Sequence, residues 1–431
     1  MAIATFIIVC LIMLWVEFGI NRRLINVFTI FAVPYMLIIP MNNLVMINYG
    51  FYEISDEVIF MILTGLFFIF IGSLFANYTK SVTNSQEKIN YTLNKEKFEY
   101  YKMNTMLTYV FFVETITFLR LLFIAYQMGL WYIGTDEYSG TLLRGPLGHI
   151  FLTTYPLIPI VFYYWLKHKE KWSYLLATII DIVLLFFTFV KYHSICMVLL
   201  IYLFISMEDS KYIKKGAAAV ATLVCSAFIL SYFVSFIIRG ATTIKENFYL
   251  MHLWNYIGGS VIYDNRIFDQ GVRVGTSILY KLGSFTLTPI SKFTEFLFDI
   301  YLCPHEALPH EYVGINGERG NVVDAIGYLY PSQGSIDEII EWGLLLIIIG
   351  FLFTKIYFWN LKQDKRFFAL LCAFMVFFMS FSFFGTFYVH YTCWEILFWC
   401  AVMPRVFDRR VHVILGTFDD YKRIFKLKNT D

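Results

Sequence analysis

Apolar runs of about 20 residues recur along this chain, and a run of that length is what an α-helix needs to cross the hydrocarbon core of a bilayer. They read as Ala2–Ile20, Leu24–Leu44, Val58–Ala76, Asn104–Tyr126, Ile150–Leu166, Tyr174–Val190, Ser194–Met207, Gly216–Ile238, Trp342–Phe358, Phe367–Phe384 and Thr386–Met403, about eleven spans. In lipid each helix satisfies its own backbone polar groups, so the predicted fold class is an all-α integral membrane protein. Composition agrees: 58% of the residues are hydrophobic and 20% aromatic, with mean hydropathy +0.63. That is more apolar surface than an ordinary soluble domain covers. Residues 1–238 then hold transmembrane helices 1–8, 239–341 one long extracytoplasmic loop, 342–404 helices 9–11, and 405–431 a basic cytoplasmic tail.

Net charge is only +2, so the placement of cations carries the information rather than their sum, and no nucleic-acid partner is expected. Alternating sides puts Arg22, Arg23, Lys80 to Lys102, Lys167 to Lys171, Lys211 to Lys215, Lys362 to Arg366 and the tail from Arg405 to Lys428 in the cytoplasm. The positive-inside rule is then satisfied, with the N-terminus outside and the C-terminus inside. The first apolar run has no basic residues before it and Arg22 and Arg23 after it, the reverse of a cleavable signal, so it reads as a retained span. Of seven cysteines only Cys303 lies in the long loop, which excludes a disulfide framework there.

The loop from Arg239 to Glu341 carries cations on the side that is normally poor in them: Lys245, Arg266, Arg273, Lys281, Lys292 and Arg319. Helical apolar periodicity at Tyr249, Leu250, Leu253, Trp254, Ile257 and at Phe293, Phe296, Leu297, Ile300, Tyr301 predicts two helices lying along the membrane surface. His310, Glu311, Glu318, Arg319 and Asp324 form the densest set of acids and bases outside the membrane, and His310, Glu311 or Asp324 is the candidate general base. A solvated loop with ordinary surface charges is the blander account of each residue alone. Trp254, Tyr256, Tyr263, Tyr312, Tyr328 and Tyr330 suit stacking on sugar faces, or an interfacial aromatic belt.

Lys191, Arg239 and Arg120 stand near outer ends of spans, where a lipid-linked diphosphate would need cations; Arg120 and Lys191 alternatively snorkel to lipid head groups, whereas Arg239 reads as functional. Arginine suits the diphosphate because its planar fork donates two hydrogen bonds at once. Glu114 falls near the middle of its span, a costly place for a carboxylate and therefore a site candidate; Asp181, Glu395 and His390 read as hydrogen bonds between helices. No metal motif is present, because Pro304 and Pro309 interrupt the helix that His305, Glu306, His310 and Glu311 would need. Neither a Walker loop nor a dinucleotide fingerprint appears, and no cofactor is expected.

The run Arg319-Gly320-Asn321-Val322-Val323-Asp324-Ala325-Ile326-Gly327-Tyr328-Leu329-Tyr330-Pro331-Ser332-Gln333-Gly334, leading directly into a span, resembles the Asn…Gly-x-x-Tyr…Gly segment of Wzy-type oligosaccharide repeat-unit polymerases. Tyr256-Ile257-Gly258-Gly259-Ser260-Val261-Ile262 and Arg239-Gly240 are similar to other parts of that family, and Gln333 stands where members often carry an acid. The resemblance implies a GT-C-like glycosyltransferase in the bacterial cytoplasmic membrane. Its donor is a growing glycan on undecaprenyl diphosphate, and its acceptor a single lipid-linked repeat unit. It also implies membrane lipids, a chain-length regulator and a flippase of the same pathway as partners, and chemistry without a metal. On this reading Arg239 and Arg319 stabilise the departing diphosphate while Lys191, Arg120, Arg266, Tyr256, Asn321 and Tyr328 bind substrate.

A flippase for the same lipid-linked oligosaccharides is the rival from another class, and would call for inverted repeats and helices broken near mid-membrane. No repeat is visible in the sequence. An O-antigen ligase-type transferase is the nearest rival among enzymes. A membrane acyltransferase would have to use His149 or His193 without the rest of a motif.

Overall fold

The computed structural model describes residues 1–408 apart from 23–24, 84–100, 135–136, 139, 189, 210, 240–247, 270–289, 292, 301–309, 321, 332–334, 363–378, 380 and 386–390. It is mostly helical (80%), as a chain read as an all-α membrane protein must be. Among the described residues six helical stretches are long and apolar enough to cross a membrane: Ala2–Asn21, Val27–Leu44, Asp56–Thr79, Met103–Met128, Gly145–Lys167 and Ile336–Tyr357. Two shorter apolar helices, Trp172–Phe186 and His193–Ser206, join them. The expected span Phe367–Phe384 and the tail beyond residue 408 lie largely or wholly outside the described residues.

The chain divides into two compact units. The first comprises Met1–Ile89, Ile244–Asp364 and Met375–Glu395. Its long helices are α1 (Ala2–Asn21), α2 (Val27–Leu44) and α3 (Asp56–Thr83). Asn26 starts α2 by accepting the Thr29 N–H at 2.8 Å, which satisfies one of the amides that a helix start leaves without a partner. Ile8, Leu11, Ile12 and Trp15 of α1 stay exposed, as a lipid-facing helix requires.

Helix α3 packs along a late helix of the same unit, Ile336–Lys362. Glycines seven apart on both make this possible. A methyl at Gly72 would lie 2.0 Å from the Ile347 carbonyl oxygen, and one at Gly350 would lie 2.2 Å from that of Ile69. Backbones this close exchange dispersion contacts that lipid tails cannot match. The Thr354 hydroxyl donates to Ser73 at 3.1 Å one turn further on, so both chains advance in the same direction and the pair is parallel.

The second unit comprises Asn90–Thr243, Lys365–Phe374 and Ile396–Asp431. Its helices are α4 (Met103–Met128), α5 (Gly145–Leu152), α6 (Leu157–Lys167), α7 (Trp172–Phe186), α8 (Lys191–Glu208) and α9 (Tyr212–Arg239). The sequence predicts one continuous span over Ile150–Leu166, whereas residues 153–156 are turns between α5 and α6. Two causes are visible. Pro156 has no N–H to continue the ladder, and the Thr153 and Thr154 hydroxyls donate to the carbonyls of Ile150 and Phe151, competing with the helix for its own acceptors.

In the loop region of the first unit, α10 (Phe248–Tyr263) and α11 (Asn265–Asp269) are followed by a two-stranded hairpin and a short helix. The hairpin pairs β1 (Glu311–Tyr312) with β2 (Arg319–Gly320), antiparallel, with Glu311 opposite Gly320 and Tyr312 opposite Arg319. Then come α12 (Ala325–Leu329) and α13 (Ile336–Lys362, the partner of α3); α14 (Tyr391–Val406) has residues to Glu395 in this unit and the rest in the second.

Over the first predicted surface helix, Tyr249 to Ile257, only Trp254 is buried and Leu250 is exposed, while α10 continues beyond it into an enclosed end. Gly258 through Asp264 are buried, and the Trp254 indole donates to Asn42 of α2 at 3.0 Å. Residues 293–298 are helical, with Phe293, Phe296, Leu297 and Phe298 exposed.

Candidate functional site

The hairpin is pinned to the chain after α2. Tyr52 N–H donates to the Val313 carbonyl at 3.0 Å, and Ile315 N–H to that of Gly50 at 2.8 Å. Gly317 turns the hairpin at φ 89°, a conformation that favours glycine. A methyl on Gly314 would stand 2.3 Å from the Gly50 carbonyl oxygen, so the two backbones touch.

Beyond the hairpin the chain enters the helical unit. Ile326 of α12 fills the notch at Gly65, where an added methyl would lie 2.6 Å from its Cγ2. Gly65 is nine residues from the start of α3, about 14 Å along the helix axis. The Ala325–Leu329 part of the segment that carries the family resemblance is therefore packed among the helices of this unit rather than lying in a solvated loop. Its N-terminus is capped by Asp324, whose Oδ1 accepts the Gly327 N–H, and Ala325 N–H donates to the Ser382 carbonyl at 2.7 Å.

Asp324, expected among surface groups as a general base, has no exposed area, and neither does Asp264 at the turn between α10 and α11. The two carboxyls face each other, with Gly327 leaving room: a methyl there would meet the Asp264 carboxyl at 2.7 Å. Burial pushes both groups above the usual carboxylate range, and the neighbouring Asp324 charge raises Asp264 further. Asp324 is eased by the backbone N–H groups of Gly327 and Ile326 and by the Tyr35 hydroxyl. Burial and the repulsion between the two carboxyls both favour a proton held by the pair.

The face of this assembly that reaches solvent carries a different set. His252 Nδ1 lies 3.0 Å from Glu318 Oε2, and the Asn255 amide donates to the same oxygen and to the Arg319 carbonyl, each at 3.0 Å. Both members of the pair are partly exposed, at 24% and 14%. The Arg319 guanidinium lies 4.3 Å from the Tyr312 ring centroid and donates to that hydroxyl. Arg266 stands 3.8 Å from Glu311. Both charges also act on Tyr263, whose hydroxyl is pushed upward by burial and Glu311 against the pull of Arg266.

The residues singled out in the sequence thus fall into three groups. Arg266, Glu311, Arg319, His310 and Tyr256 lie with α10, α11 and the hairpin in the first unit. There His310 is exposed, and Tyr256 is stacked on Phe384 at 6.0 Å between centroids. Asp324 and Tyr328 are buried beneath them. Arg120, Lys191 and Arg239 belong to the second unit.

Arg120 spends its fork on backbone, donating to the carbonyls of Leu142 at 2.9 Å, Thr141 at 3.0 Å and Arg144 at 2.6 Å. Those groups end a short 3-10 turn, Thr141–Leu143, and a guanidinium is a fitting cap for such carbonyls. Lys191 opens α8 and Arg239 closes α9; their side chains, like the whole of Asn321, lie outside the described residues.

Three participants escaped the sequence reading: His252, Asp264 and the acceptor Asn42. His252 sits inside the apolar stripe of α10, and its carboxylate partner is 66 residues away, a separation that no local pattern encodes. Compared with protein-family models, with curated proteins and with solved structures, the chain matches none.

Proposed function

We propose that the protein is an integral membrane glycosyltransferase that polymerises undecaprenyl-diphosphate-linked oligosaccharide repeat units at the outer face of the bacterial cytoplasmic membrane, with a GT-C-like architecture of about eleven spans. One observation carries this reading. The Arg319–Gly334 run that resembles such polymerases includes a hairpin strand and α12, and the hairpin holds an arginine beside a histidine–carboxylate pair at solvent.

In the reaction an acceptor hydroxyl oxygen bonds to the anomeric carbon of the donor glycan. The bond from that carbon to the diphosphate oxygen breaks, and its electron pair leaves with the diphosphate. The hydroxyl proton passes to His252. An Nδ1–H directed at Glu318 leaves the basic lone pair on Nε2, and the carboxylate stabilises the imidazolium that forms. Arg319 and Arg266 supply positive charge for the leaving diphosphate. Asp324, wholly buried, acts by fixing the α12 segment and touches no substrate.

Cells lacking the native gene, complemented with Arg319→Ala or His252→Ala, should make products bearing single repeat units and no long chains. Unchanged chain-length distributions in both variants would remove these residues from the site. Accumulation of lipid-linked units on the inner leaflet, with no single-unit product, would replace the polymerase by a flippase.

A further inference from the structure

The second unit holds another pair of acids, on helices that pack directly on each other: Glu114 of α4 and Asp181 of α7. Glu114 is 2% exposed and Asp181 0%. All four carboxyl oxygens are buried without a hydrogen-bond partner among the described residues. Polar atoms in this state are rare in native structures and ask for an explanation.

Their depth is informative. Glu114 follows the lysine before α4, Lys102, by twelve residues, and Asp181 follows the lysine before α7, Lys171, by ten. At 1.5 Å per residue these are about 18 and 15 Å from the basic ends of their helices, close to half the thickness of a hydrocarbon core. The break between α5 and α6 falls at the same level. Leu157, where α6 begins, is ten residues from Lys167 at its basic end, about 15 Å, and in the break before it Thr154 stands near the Asp181 carboxyl with its hydroxyl donated to the Phe151 carbonyl. An interrupted helix beside intramembrane carboxylates is a known way of presenting oxygen atoms to a small cation inside a membrane.

No described basic group meets the pair. Arg120 lies on α4 itself but its fork is held by the carbonyls of residues 141, 142 and 144. His193 of α8 is bonded to the Tyr155 hydroxyl at 2.5 Å. The other titratable groups on the packed elements are Lys191, Cys196 and Glu208 of α8, the exposed His149 of α5, and tyrosines. Tyr109 bonds Thr153, Tyr174 bonds Asn104, and Tyr164 receives the Lys171 ammonium, while Tyr163 lies under Lys167. Two like charges enclosed together without compensation would cost far more than a fold can spare.

We infer that Glu114 and Asp181, with Thr154 at the α5–α6 break, form a binding site for one monovalent cation, either a shared proton or Na+. The site is independent of the proposed glycosyl transfer and lies in the other unit.

The test uses the full chain in nanodiscs of uncharged lipid, wild type beside the isosteric Glu114→Gln/Asp181→Asn double variant. Saturable uptake of one radioactive Na+ per chain, lost in the double variant, assigns Na+. Absence of Na+ uptake together with release of one fewer proton by the double variant on alkaline titration assigns the proton. The Asp264–Asp324 pair titrates in both proteins and cancels from that difference. Wild type and variant alike in both measurements overturn the site. Should the double variant fail to fold, each single variant is compared in its place, and either one must lose the cation.

Discussion

Asp324 combines two roles that substitutions separate. Asparagine caps a helix as well as aspartate, so Asp324→Asn keeps the N-terminus of α12 while removing the charge. Asp324→Ala loses both, and the missing cap alone should cost about 1 kcal/mol in thermal unfolding of the full chain. The charge has a pH signature.

Burial raises the Asp324 carboxyl to about 6, above its value in an unfolded chain. Its contribution is therefore complete at pH values below the unfolded carboxylate range, and falls away as pH rises through about 6. This is the reverse of a salt-bridged aspartate. Thermal midpoints measured across that window should decline for the wild type and flatten in Asp324→Asn. An equal slope in both proteins would show that Asp324 does not set this pH dependence. The pair itself was hidden in the sequence, because Asp264 and Asp324 become neighbours only when α12 dips under α10.

At the scale of elements, the α3–α13 pair depends on the absence of side chains at two positions. Gly72→Ala or Gly350→Ala places a methyl against a carbonyl oxygen of the opposite helix, and separating the helices should cost about 1–3 kcal/mol. Gly19 of α1 is the internal control, since nothing stands within 4 Å of a methyl added there. Gly19→Ala should be neutral or stabilise by up to about 1 kcal/mol, because glycine is the poorer helix former. Denaturation of the three variants in one detergent decides the point, and equal stabilities would mean that α3 and α13 do not pack through their glycines.

At the scale of the whole molecule, the proposed function requires the hairpin to face the cell exterior. Ile315 at its tip is 84% exposed. With Ile315→Cys in a cysteine-free background, a membrane-impermeant maleimide should label intact cells as fully as it labels lysed ones. Labelling only after lysis would place the hairpin in the cytoplasm, where no outer-leaflet transfer can occur.

The helical membrane character followed from the amino-acid order alone, because spanning lipid demands an uninterrupted apolar run and such runs are local. Helices α1, α2 and α4 appear within about three residues of where hydropathy puts them, while α3 and α13 contain their predicted runs and extend beyond them. Two features were decided only by tertiary packing. One is the break at residues 153–156, which an apolar count cannot see because threonine, tyrosine and proline lower hydropathy too little to divide the run. The other is the buried α12, with its Asp264–Asp324 pair and the partly exposed His252–Glu318 pair. These join residues about 60 positions apart, and what brings them together is the close approach permitted at Gly65, Gly314 and Gly327 rather than any motif.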